Sequence, residues 1–415
     1  MTTKPIAINA DCLNRTLEEL GHIGETPQGM QRLAFSPADV AGREYTISLM
    51  RRAGLETRID PAGNIIGRKA GADPGLPAIA LGSHIDTVPN GGKYDGALGV
   101  MGAIEVVQTL TDHNLTLRHP VEALVFTNEE GTRIHRWLLG SRAMAGLLEP
   151  ADLSVIDDEG VSLSARLSDI GGDLSRIEEA RRPPGELAAY FELHIEQGPA
   201  LHQSGTPVGV VTGITGRVVF SVEIKGIANH AGTTPMYARH DALVSASRLV
   251  LTVNRVAGEL EICRVATVGN LLVQPNAVNV VPGRVSLGVE FRDERMQSLA
   301  AAEVELRGAA AEIAGDDGVD VSIHKLETTP AVPIPSRMQE LMAEAATRCG
   351  LAYERLPSGA GHDAQAMAAI THPAMIFVPS INGVSHAPAE FSTPEDCANG
   401  ANVLLNLLLL ADERF

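Results

Sequence analysis

Residues Gly82–Gly96, GSHIDTVPNGGKYDG, follow directly on the apolar run Pro77–Leu81, PAIAL. One histidine and two aspartates, His84, Asp86 and Asp95, stand among glycines and turn formers where a buried strand ends. Taken singly, such residues read as turn chemistry. The pattern repeats, however. Val121–Phe126 is followed by TNEEGTR with Glu129 and Glu130, Tyr190–Ile195 contains His194, and Ala374–Val378 precedes SINGVSHAPAE with His386. Each run is short, continuously apolar and bounded by Gly, Pro, Asn or Asp, as strands buried on both faces of a parallel sheet are. The carboxyl edge of such a sheet is where ligands bind. Gathering three imidazoles and several carboxylates there is costly without a cation. Neutral imidazole with carboxylate suits Zn²⁺ or a similar first-row ion.

Working outward, GALGVMGAIEVVQTL reads as a helix between the first two runs, so the rhythm is that of an α/β domain. Ser36–Gly54 reads as another helix, with Ser36 as cap, Pro37 at the first position and Asp39 where a capping box wants an acid. A different rhythm occupies residues 214–329. RVVFSVEIKG alternates, Asp241–Gly258 and Gln297–Ala314 are helical, and EICRVATVGN, RVSLGVEFRDE and GVDVSIHKLE are strand-like. That order predicts a split βαβ, ferredoxin-like domain inserted into the first, leaving residues 1–213 and 330–415 as the catalytic domain.

The length of 415 residues fits two domains. A net charge of −18 excludes nucleic acid and anionic membranes as partners, since both require a basic surface. The four cysteines have no CxxC spacing, MTTKPIAINA shows no leader pattern, and Val403–Leu410 is far too short to span a bilayer. A soluble cytoplasmic protein is the expectation.

Eight motifs in order, GSHIDTVPNGGKYDG, TNEEGTR, ELHIEQGP, NHAGTTPM, NAVNVVPG, EFRDE, GAGHDA and GVSHAPAE, make the chain similar over nearly its whole length to the M20-type metallohydrolases. Within them it resembles the hydantoinase/carbamoylase amidases. The resemblance implies two divalent ions, Zn²⁺ or Mn²⁺ with Co²⁺ or Ni²⁺ as further choices. One would be held by His84, Asp95 and His194, the other by Asp95, Glu130 and His386. It implies Glu129 as general base and acid, Asp86 as the acid that fixes the His84 tautomer, and His230 as an oxyanion donor reaching the partner's site in a homodimer. The inserted domain would be the lid and dimerisation element. Asn279 and Arg292 would bind the substrate carboxylate, with Gln197, Gly359 and Gly361 as further contacts and His362 and Asp363 in support. The implied substrate is an N-carbamoyl-L-amino acid. Allantoate, ureidoglycolate and 3-ureidopropionate remain open, as do aminoacylase or dipeptidase activity and a non-catalytic scaffold. One stretch departs from the family pattern. After EEG the chain reads Thr132-Arg133-Ile134-His135-Arg136-Trp137, and this only tryptophan, taken by itself, reads as core.

Overall fold

A computed structural model describes residues 6–415; the first five residues of the Met1–Ala10 stretch lie outside the described ones. The chain divides into two compact units. One runs to Thr212 and resumes at Ile334, and the other is Gly213–Pro333.

In the first unit, four parallel strands lie side by side. Pro373–Val378 neighbours Leu187–Ile195, which neighbours Ala78–His84, which neighbours Val121–Phe126. Antiparallel strands extend both sides: Val208–Ile214, whose last two residues belong to the second unit, and then Ile65–Lys69 with Glu56–Ile59. The four parallel strands are apolar throughout because both faces are covered. Leu81, Phe126, Phe191 and Phe377 are at most 1% exposed. Burying each contributes roughly 1.5–3 kcal/mol. Helix Ala97–Asp112 packs on the Ala78–His84 strand and on helix Pro394–Arg414. Helix Pro37–Arg52 starts with Ser36 accepting from the Asp39 N–H, while the Asp39 carboxylate reaches back to the Phe35 N–H.

Register sets the chemistry. His84 pairs with Phe126 and His194 with Phe377, so both imidazoles stand at the carboxyl ends of central strands.

The second unit carries an antiparallel sheet in the order Val265–Gln274, Arg284–Asp293, Gly216–Lys225, Asp320–Thr329. Helices Ala242–Gly258 and Met296–Asp317 bury Phe220, Val222, Ile224, Val289 and Phe291 on one face. Among the described residues, no helix is long and apolar enough to cross a membrane. All four cysteines are free.

Candidate metal centre

Four strand ends converge on Asp95. Its Oδ1 lies 3.5 Å from His84 Nε2 and 3.2 Å from His194 Nε2. Its Oδ2 lies 3.2 Å from His386 Nε2, which is 3.6 Å from Glu130 Oε1. The ligand atoms of His84, Asp95 and His194 all lie within 4.8 Å of one another, as do those of Asp95, Glu130 and His386.

Hydrogen bonding fixes which imidazole nitrogens carry lone pairs. His84 Nδ1 donates to the Asp86 carbonyl at 3.0 Å, and His194 Nδ1 donates to the Ile195 carbonyl at 2.9 Å. The Gly96 N–H donates to His194 Nε2. In the neutral rings that metal ligation requires, both Nε2 lone pairs face Asp95, an assignment made from the bonding pattern. Two ligands about 2.1 Å from one tetrahedral ion stand about 3.4 Å apart, which matches these spacings. Glu130 Oε1 is buried without a hydrogen-bond partner, an arrangement that a cation would satisfy. The donor set thus fits two ions sharing Asp95.

The charges are strongly interdependent. Burial opposes ionisation of Asp95, yet His194, with His386 and His84, holds its carboxyl well below the usual range. Burial, with Asp95 nearby, pushes Glu130 up to about 8. The Asp95 carboxylate, with Glu130 and Glu390 adding to it, raises His386 to about 9. Glu129 is 6% exposed, and burial together with Glu130, Asp363 and Asp86 lifts it well above an ordinary glutamic acid. It lies 3.7 Å from His84 Nε2.

Asp86 does its work differently from expectation. Its backbone carbonyl, not its carboxylate, takes the His84 proton; the carboxylate stands 3.7 Å away. The carboxylate oxygens instead accept the N–H groups of Glu129 and Glu130, at 3.1 and 3.2 Å. That anchors the turn that carries the two adjacent glutamates, with Gly131 at φ +64° after them. Asn128, Gln197 and His386 also take positive φ. For non-glycine residues this costs on the order of 1 kcal/mol each, strain that concentrates where side chains must be aimed.

The other expected positions are distributed as follows. The Gln197 amide lies 2.6 Å from Asp95 Oδ2 and 3.4 Å from His386 Nε2. The turn at residues 359–361 is tied by Ser358 to the Ala360 N–H, and His362 bonds Ser358 Oγ while its ring lies 4.5 Å from that of His194. Asp363 is buried beside Glu192, whose carboxylate accepts from Ser83 Oγ and the Ala364 N–H. In the second unit, Asn229–His230 pairs with Val280–Val281, and the Ala231 N–H donates to the Asn279 carbonyl. His230 Nδ1 accepts from Gly232 and Thr233, which leaves its ring proton on Nε2 at an exposed position. Arg292 stands on the Arg284–Asp293 strand, its Nε donating to Glu290 at 2.7 Å.

The sequence reading missed two supports of Asp95. Buried Glu390 accepts the N–H groups of Tyr94 and Asp95, at 2.8 and 3.1 Å. Ser385 Oγ lies 2.8 Å from Glu390 and 3.1 Å from Asp95 Oδ2. The signal was present in GVSHAPAE, where Ser385 and Glu390 flank His386, but polarity alone does not distinguish a buried anchor from a solvated loop residue.

Gly96, at φ +62°, admits no side chain. A Cβ there would lie 2.4 Å from His84 Nε2. Gly96→Ala is expected to displace His84 and weaken metal retention about 10–100-fold, as loss of a ligand's support does. Competition with a chelator measures it, and wild-type retention would contradict the packing argument.

The chain is similar to known proteins over most of its length. The model for Peptidase family M20/M25/M40 matches residues 80–410. An N-carbamoyl-L-amino acid amidohydrolase of Geobacillus stearothermophilus is 41% identical over 398 residues, 96% of this chain and 97% of that one. A ureidoglycolate hydrolase of Arabidopsis thaliana is 38% identical over 411 residues, 96% of this chain and 86% of the relative. The crystal structure of an amidase of the hydantoinase/carbamoylase family from Burkholderia multivorans superposes with a TM-score of 0.91 at 37% identity, covering 99% of this chain and all of that one. With the match spanning most of its length, the chain belongs to the peptidase family M20/M25/M40 and, within it, to the hydantoinase/carbamoylase amidases, hydrolases that act on C–N bonds.

Proposed function

We propose that this protein is a binuclear-metal amidohydrolase that cleaves the ureido C–N bond of N-carbamoyl-L-amino acids, yielding the L-amino acid, CO₂ and ammonia. The observation that supports it most is the convergence of His84, His194, His386 and Glu130 on Asp95 with Glu129 alongside. Two divalent ions, Zn²⁺ or Mn²⁺ by preference and Co²⁺ or Ni²⁺ by the same donors, would supply a polarised carbonyl and an acidified water.

The chain's own residues do the remaining work. The Glu129 carboxylate takes the proton of the attacking water and returns it to the departing nitrogen. Asp86 steadies it through the backbone. Gln197 and the backbone at Gly359 and Gly361 orient the substrate. Arg292, with Asn279, receives the substrate carboxylate, for which a guanidinium fork is suited. His230 donates a hydrogen bond from its Nε2–H to the developing oxyanion, acting in the partner's site of a homodimer. The edge strand Val265–Gln274, with Leu271 and Leu272 exposed, supports pairing of copies through the lid unit; sedimentation as a monomer would remove that assignment. The proposal places the enzyme in the cytoplasm, in keeping with its unpaired cysteines.

A second reading keeps the site and changes the substrate. The ureidoglycolate hydrolase relative supports ureidoglycolate, and allantoate or 3-ureidopropionate present the same ureido group and carboxylate. Ammonia release from a panel of these compounds and of N-carbamoyl-L-amino acids, with Mn²⁺ or Zn²⁺ supplied, separates them. Arg292→Ala in the same assay is expected to raise KM more than it lowers kcat. Amino acid from dipeptides or N-acyl substrates, with no ammonia from any ureido acid, would replace the proposal by an aminoacylase or dipeptidase.

A further inference from the structure

The Thr132–Trp137 stretch forms a closed loop beside the site. The Leu138 N–H donates to the Glu129 carbonyl at 2.8 Å, and Asn128 Nδ2 donates inside the loop to the carbonyls of Ile134 and Arg136, at 3.0 and 2.8 Å. The loop is pinned from outside by the acid-rich segment. Arg133 pairs with Glu159 at 2.6 Å and stands 3.6 Å from Asp157, His135 meets Asp158 at 3.0 Å, and Arg136 meets Asp152 at 3.0 Å. Asp157 is itself buried and accepts from the N–H groups of Glu159 and Val161. Surface ion pairs are individually weak, but a network of them on one short loop limits its freedom.

What this scaffold presents is Trp137. Its backbone abuts Gly131, the residue after Glu130. Its six-membered ring rests on Gly361, where a Cβ would lie 2.3 Å from Cζ3 and 2.8 Å from Cη2. Gly361 precedes His362, whose ring contacts His194. The indole thus bridges the two segments that border the ligands, and it is partly exposed, not enclosed in the core as its isolated reading suggested. A large rigid apolar group beside a ligand cluster is suited to limiting the volume open to a small molecule.

We infer that Trp137 is a specificity residue, the wall that restricts the substituent next to the ureido nitrogen to compact groups. The inference rests on the ureido-acid hydrolase reading above. Pockets that discriminate by apolar volume do so by about 10–200-fold. In the Mn²⁺-loaded enzyme, Trp137→Ala is therefore expected to raise the ratio of kcat/KM for N-carbamoyl-L-phenylalanine over N-carbamoylglycine at least tenfold, with Trp137→Phe between the two. Because Trp137 is the chain's only tryptophan, its fluorescence reports directly on the same place. In a Glu129→Gln background, N-carbamoylglycine is expected to shift the emission saturably. Ammonia release with an unchanged ratio in both variants and a silent emission would overturn the role of Trp137 alone. Absence of ammonia from the wild-type protein would overturn the activity, and the emission titration would then decide on Trp137: a saturable shift supports it and silence overturns it.

Discussion

Glu129→Gln is expected to lower kcat by about 10²–10⁴-fold, the share that a positioned acid–base group contributes, while both metals stay bound. The glutamine retains the shape of the side chain and removes only the proton acceptor. Retention of metal follows from the geometry, since Glu129 stands outside both groups of ligand atoms while Glu130 belongs to one. Stability should not fall either. Glu129 is buried among Glu130, Asp363 and Asp86, and these like charges, after burial itself, hold its pKa up. A neutral amide of the same shape carries no cost for burying a charge, so the Tm should be unchanged or higher, as is common where a site trades stability for activity. Metal content, Tm and turnover measured on one preparation separate these effects. Turnover within tenfold of wild type would remove Glu129 as the base. Loss of metal would instead mean that it is a ligand, and the division of labour between the adjacent glutamates would need to be reversed.

The candidate centre was only partly legible from residues in a row. The parallel strands were legible because burial on both faces leaves continuous apolar runs, and because each run stops at a polar residue. His84, Glu129, Glu130 and His194 follow or end such runs directly, so their common sheet edge could be inferred before any distance was known. His386 was harder, since it follows Val378 by eight residues and depends on a loop with positive φ at Asn382, Gly383 and His386. Bonds between backbone and side chain were not legible at all. Nothing in HID says that the Asp86 carbonyl takes the His84 proton while its carboxylate secures a turn some 40 residues onward. Nor does APAE say that Glu390 holds the N–H of Asp95, 295 residues earlier in the chain. Nor does the acidic run Asp157-Asp158-Glu159 say that it clamps the Trp137 loop through Arg133 and His135. Periodicity reports which face is buried; it carries no information on which distant polar group satisfies which.

Asp95→Ala should remove both ions, where His386→Ala should remove one. Asp95 is the residue common to the two groups, presenting Oδ1 to His84 and His194 and Oδ2 to His386. Without it, His84 and His194 form a two-ligand remnant and Glu130 with His386 forms another, and neither reaches the three protein ligands that catalytic sites of this type keep. The loss of affinity should exceed the 10–100-fold typical of removing a supporting residue, with turnover falling in step. His386 touches only the Oδ2 and Glu130 side, so its removal leaves His84, Asp95 and His194 together. Metal analysis after dialysis should therefore read about two ions per chain for wild type, about one for His386→Ala and none for Asp95→Ala. The exposure of His386 against the burial of the other two histidines sharpens this, because the ion it helps to hold is the one nearer solvent and should be the first drawn off by a chelator. Asp95→Asn controls for folding, since it keeps the volume and a hydrogen-bond acceptor for Gln197 while halving the carboxylate's capacity to bridge. Two ions retained by Asp95→Ala would show that the donors around Asp95 do not share it, and the binuclear centre would have to be given up.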